Sequence, residues 1–183
     1  MKKTTTALRW VPALLIITAC TAFAQEKKAG PIIANYGQVW EINAPDFKTD
    51  TAKTYRAVFD VMTSPEDPAQ RNPSLETAAR FLNMHAQSGV PQDQLKVALV
   101  VHNKASKDLA HSAAYKKRYG VQNPNAQMLT DLMAAGVQVI FCGQSSLSRG
   151  FPKEDLLDGV QISLSAMTAL IQLQDEGYRF IKF

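Results

Sequence analysis

Two short apolar runs do most to limit what this chain can fold into: Lys96-Val97-Ala98-Leu99-Val100-Val101-His102 and Val137-Gln138-Val139-Ile140-Phe141-Cys142. In the first, five apolar residues stand in a row, where a strand with one wet face would alternate apolar and polar residues. Such a strand has to be buried on both faces, as in a parallel sheet covered by helices on two sides. The flanking sequence fits that demand. Tyr55 to Met62 reads as an earlier strand, and Asn72-Pro73 opens a helix in which Leu75, Ala78, Ala79, Leu82 and Ala86 recur at helical spacing up to Gly89. Ser106 is expected to cap a more polar helix running to Tyr119, closed by Gly120. Asn123-Pro124 is expected to begin the next, with Leu129, Leu132 and Met133 inward and Gly136 at its end. Residues 156 to 164 hold a short fourth strand. Ser165 or Ser163 caps a final helix through Met167, Leu170, Ile171 and Gln174 to Gly177, and Tyr178 to Phe183 is a last strand. Strands alternating with helices predict an α/β protein, a three-layer α/β/α domain with a mainly parallel sheet and right-handed crossovers.

The N-terminus has a different character. Lys2, Lys3 and Arg9 precede an apolar stretch from Val11 to Ala19, and Ala22-Phe23-Ala24 is an A-x-A cleavage site. A stretch of nine residues is too short to span a bilayer, which takes about 20. This layout predicts a secretory signal over residues 1–24 and a periplasmic product beginning at Gln25. Ile17-Thr18-Ala19-Cys20 offers the alternative of a lipoprotein, with the membrane as a partner only if Cys20 is lipidated. Residues 25–52 read as an extension or linker, in which Tyr36 to Ile42 is expected to form a short edge strand carrying Trp40. The remainder, 53–183, is the size of one domain, without internal repeats.

The pI of 9.1 overstates the charge available to a partner. Three of the 20 basic residues and none of the 16 acidic ones fall in the signal, so the processed chain carries 17 minus 16, a net +1. One basic run, Lys116-Lys117-Arg118, is the pattern of a solvated helix face, and no nucleic-acid partner is expected. No G-x-S-x-G, P-loop or G-x-G-x-x-G occurs, and three scattered histidines with one cysteine make no zinc site, so neither a cofactor nor a metal is expected. His85 reads as a helix-surface residue, and His111 lies on the polar helix.

Either processing route removes or blocks Cys20, leaving Cys142 as the single free thiol in an oxidising compartment. In open parallel sheets ligands bind beyond the carboxyl ends of the strands. His102 and Cys142 both end strands, so neighbouring strands would place them along one sheet edge. Cys142 is followed by Gly143-Gln144-Ser145, where N–H groups in a turn or helix start would favour the thiolate. A cysteine packed as a small hydrophobe is the competing reading. His102 would stabilise a thiolate or donate a proton, or else simply bond the local backbone.

These residues carry a resemblance. KVALVVH at 96–102, NPNAQMLTDLMAAGVQVIFCGQS at 123–145, DLLDGVQISLSAMTALIQLQDEGY at 155–178 and GPIIANYGQVWEI at 30–42 are similar to the DsrE/DsrF-like sulfur-relay family, in its exported single-domain branch. The resemblance implies a five-stranded parallel sheet with the first strand in its interior, and homo-oligomers, commonly trimers or hexamers. It also implies a cysteine that holds sulfur as a persulfide between a sulfur donor and an acceptor, proteins or small reduced-sulfur species. Cys142 is the matching cysteine, with His102 as a charge-tuning partner and Asn103, Gly143, Gln144 and Ser145 as the ligand-binding loops. Asn103 stands where many relatives have glycine, a place where asparagine also tolerates a left-handed backbone. The expected function is a periplasmic sulfur carrier or thiol-handling protein. The alternative is a non-catalytic oligomeric module binding a small ligand or protein, with Cys142 packed.

Overall fold

The computed structural model describes residues 26–182, so the expected signal at 1–24 and the lipidation alternative at Cys20 lie outside the described residues. Five strands, β1 (Tyr55–Val61), β2 (Leu95–Val101), β3 (Gln138–Cys142), β4 (Gln161–Ser163) and β5 (Arg179–Ile181), form one sheet in the order β4-β3-β2-β1-β5. All four ladders are parallel, with Tyr55 opposite Leu95 and Val101 opposite Phe141. The first strand is interior, between β2 and β5.

The apolar run in β2 does what it demands. Val97, Leu99 and Val101 point into one core, Ala98 and Val100 into another. The larger core takes Ala57, Phe59, Val61, Val139 and Phe141 from the sheet. Helices α1 (Pro73–Gln87), α2 (Ser112–Tyr119) and α3 (Ala126–Ala134) supply Leu75, Leu82, Tyr115 and Leu132. Short α4 (Gly143–Arg149) follows β3 directly. The opposite face carries Val58, Ala98, Val100, Ile140 and Cys142 under α5 (Ala166–Asp175). Strand order explains why one helix suffices there. β4 and β5 are the two sheet edges, so the helix joining them has to cross the intervening strands. Its inner residues Ala166, Ala169 and Leu173 are buried, while Met167 and Ile171 are exposed.

Three local expectations change. The polar helix expected from Ser106 is split into a 3-10 segment, Asn103–Leu109, and α2. The Asp108 carboxylate turns inward to Asn72 and Ser64, while the Ser106 hydroxyl donates to the Asn103 carbonyl at 2.6 Å instead of capping a helix. His111 caps α2 instead, its Nδ1 accepting the Ala114 N–H at 3.2 Å. His85 is half-buried against Tyr55 and Phe81 and bonds the Phe81 carbonyl at 2.8 Å. Burial lowers its pKa, partly opposed by that backbone bond.

The third change concerns the expected edge strand at Tyr36–Ile42, of which only an isolated antiparallel bridge between Lys28 and Val39 forms. Side chains of α1 take the backbone groups a ladder would have used. Asn83, fully buried, donates to the Ile33, Tyr36 and Gly37 carbonyls and accepts the Ile33 N–H, and Glu76 accepts the Gly37 N–H. The extension is thus strapped onto α1. Gly37 makes this possible: its φ is +68°, and a Cβ there would lie 2.4 Å from the Ala79 carbonyl carbon. Gly37→Ala is expected to destabilise the protein by about 1–3 kcal/mol, read as a lower thermal midpoint. Early proteolytic cleavage between residues 26 and 54 should accompany it.

Candidate functional site

Cys142 is the last residue of β3 and lies on the α5 face, at 5% exposure. Because α4 begins at the next residue, Cys142 stands at that helix's N-cap. Gly143 serves here for reasons other than a sharp turn. A Cβ on it would come within 2.6 Å of the Ser163 carbonyl oxygen, so only glycine lets β4 close against the start of α4.

Four donors converge on the Cys142 sulfur: the N–H and hydroxyl of Ser145, the N–H of Ala166 and the N–H of Gln144. They come from the first turns of two helices, α4 and α5, whose N-terminal N–H groups have no helical partner. Burial is the largest single influence and pushes the thiol up, but together the donors outweigh it. The net effect lowers the Cys142 pKa below its ordinary 9.0. The site can therefore hold a thiolate and stabilise the anion when it is released as a leaving group.

A second layer fixes the key donor. Asn103 has a left-handed φ of 54°, which aims its N–H at the Ser145 Oγ at 3.0 Å. With that lone pair occupied, the hydroxyl is oriented to donate to sulfur. The Asn103 side-chain oxygen accepts a bond from Arg149 at the end of α4. Gln144 reaches the Leu164 carbonyl with its side chain at 3.3 Å, so its contribution to the sulfur is its backbone.

His102 sits one strand over, in the next register step after Val101 opposite Phe141. β2 and β3 are neighbours, as the edge arrangement requires. Its Nε2 bonds Asp60 Oδ1 at 2.8 Å, and Lys182 Nζ lies 3.4 Å from Asp60 Oδ2. Cys142, Ser145, Gln144, Ala166 and Asn103 thus form one hydrogen-bonded unit, Gly143 only letting β4 approach it, while His102 belongs to an adjoining pair with Asp60. Sequence reasoning missed Asp60, Arg149 and Ala166. Asp60 did carry a signal, as the one carboxylate inside the apolar run Ala57-Val58-Phe59-Asp60-Val61. Ala166 carried none, because it acts through its backbone.

Among the described residues, no three His, Cys, Asp or Glu side chains gather as a metal site. Clefts of about 380 and 420 Å³ lie away from Cys142, between the Trp40–Thr49 stretch and the end of α1, and between α1 and β5.

Several solved structures are similar to the chain. The E. coli ychN protein matches with a TM-score of 0.52 and 22% identity, covering 70% of this chain and 99% of that one. A protein of unknown function from Methanobacterium thermoautotrophicum, MTH1491, matches with a TM-score of 0.51 and 18% identity over the same shares. At these identities both speak for the fold alone. No curated protein matches significantly by sequence. The model of the DsrE/DsrF-like family matches residues 56–183, β1 through the end of the chain, and the protein belongs to that family.

Proposed function

We propose that this protein is an exported, periplasmic sulfur carrier that holds sulfane sulfur as a persulfide on Cys142. The family suggests a role related to sulfur relay. The carrying observation is the set of N–H and hydroxyl donors from Gln144, Ser145 and Ala166 around a single thiol whose pKa they lower. The thiolate is the nucleophile in sulfur exchange, and an anion held by fixed donors is also a good leaving group when sulfur passes on. We further propose homo-oligomers, trimers or hexamers, supported by the exposed Leu164, Met167 and Ile171 on and beside α5.

The test is mass spectrometry of the protein after exposure to polysulfide. A gain of about 32 Da at Cys142, absent in Cys142→Ser, is expected. No adduct with any sulfane donor would sink the proposal.

One observation favours the rival reading, a binding module with a packed cysteine: Cys142 is 5% exposed and belongs to the second core. Thiol labelling of the native protein separates the two. A carrier labels rapidly while folded, whereas a packed cysteine labels only after denaturation.

A further inference from the structure

Asp60 lies in the strand next to β2, on the same sheet face as Val58, and its side chain is 9% exposed. A carboxylate buried this far in an interior strand is costly unless paired. Its pairing is specific: Oδ1 meets the Nε2 of His102, while Oδ2 faces the Lys182 ammonium. A carboxylate only accepts, so His102 Nε2 has to carry the hydrogen. Nδ1 is then the ring nitrogen that Asp60 does not engage, on a residue at the end of β2, next to the β3 end that carries Cys142.

We infer that Asp60 is a positioning residue that fixes the ring orientation and tautomer of His102, so that imidazolium Nδ1–H protonates the thiolate released during sulfur exchange at Cys142. The substrate class follows from that role: persulfides and disulfides whose leaving group is an aliphatic thiolate, basic enough to need a proton. The inference rests on Cys142 as the nucleophile and deepens the carrier reading. In the step itself, the Cys142 thiolate attacks the outer sulfur of R–S–SH. The new Cys142 S–S bond forms as the donor's S–S bond breaks, and the electron pair leaves on R–S⁻. That thiolate takes the proton from His102 Nδ1 to give R–SH and neutral imidazole. Sulfane sulfur moves between thiols without an external oxidant or reductant.

Three small probes on the full-length chain, with Cys20→Ser in every protein so that Cys142 is the single thiol, test this. Cysteine persulfide and cystamine both expel an aliphatic thiolate, whereas methyl methanethiosulfonate expels a sulfinate that needs no proton. Asp60→Asn, which presents an N–H to Nε2 and reverses the tautomer, is expected to slow cysteine persulfide and cystamine by about 10- to 100-fold. Its reaction with methyl methanethiosulfonate should match the parent's. Asp60→Glu should restore much of the rate, and ¹⁵N NMR should show His102 passing from Nε2–H to Nδ1–H in Asp60→Asn. Equal slowing of all three probes would mean that Asp60 only holds the fold, and overturns the inference. If cystamine behaves as expected but cysteine persulfide leaves no sulfur on the parent protein, the carrier proposal falls and the role of Asp60 stands.

Discussion

Asp108→Ala is expected to cost about 3–5 kcal/mol of folding stability, the largest effect of any single substitution considered, because it leaves a buried charge without its partner. Asp108 is fully buried, and its carboxylate accepts from Asn72 Nδ2 at 2.7 Å, Ser64 Oγ at 3.0 Å and Lys107 Nζ at 3.0 Å. The Lys107 side chain is only 12% exposed. Burial pushes the Lys107 pKa down, but Asp108, by charge and hydrogen bond, and Tyr115 push harder, so it ends above the ordinary 10.5. Stability from that raised group is fully present below about pH 10.5 and is lost as the pH climbs through the folded value.

Around the ion pair the knot widens. Asn72 caps α1 through Ser74 and donates its own N–H to Asn125, and Asn123 donates to the carbonyls of Asp108 and Ala110. One carboxylate thus ties the loop after β1 to the start of α1, and the backbone carbonyl of the same residue holds Asn123 ahead of α3. Removing it should lower the thermal midpoint by about 10 °C in a chain this long. Asp108→Asn, which keeps the size and can still accept a hydrogen bond, should cost clearly less. An equal loss in the two variants would show that the charge pairing with Lys107, absent from both, carries the whole effect and that the bonds to Asn72 and Ser64 contribute nothing. The 3-10 segment bearing Asp108 begins at Asn103, so Asp108→Ala should also slow Cys142 labelling below the melting transition.

This knot also marks where sequence stops being legible. The sheet was readable because periodicity is a one-dimensional signal: β2 cannot be apolar at five successive positions and face water. Helix ends at Asn72, Ser165 and Gly120 were readable too, since capping chemistry is local. The break between Asn103–Leu109 and α2 was not. It depends on Asp108 meeting Asn72, 36 residues away, and nothing near Asp108 announces that partner. The site divides the same way. A strand-end cysteine before Gly-Gln-Ser is visible in the chain, and so is an asparagine suited to a left-handed backbone. That Ala166 points its N–H at Cys142 follows only from β4 pairing beside β3, which places the start of α5 over the sulfur.

Ser145→Ala gives the second large effect and separates two properties of the thiol that are often merged. Ser145 directs both its N–H and its hydroxyl at Cys142, and its Oγ accepts from Asn103 at 3.0 Å. Alanine keeps the N–H and removes the hydroxyl, so the Cys142 pKa has to move back up toward its ordinary value. The sign then depends on pH. Well below the pKa, the rate follows the thiolate fraction, and each tenfold loss of thiolate is partly offset by a gain of about threefold in the nucleophilicity of a more basic sulfur. The variant should therefore alkylate about threefold more slowly for every such tenfold. Well above the pKa both proteins are fully ionised, and the more basic sulfur of Ser145→Ala should be the faster one. Rate profiles of iodoacetamide labelling should cross. Parallel profiles, slower at every pH, would mean that the substitution restricts access to a sulfur 5% exposed, and that the hydroxyl does not stabilise charge. Asn103→Gly separates the layers further. It keeps the left-handed backbone and its N–H but loses the bond from Arg149, so a labelling profile that stays on the parent's assigns the effect to the N–H that orients Ser145.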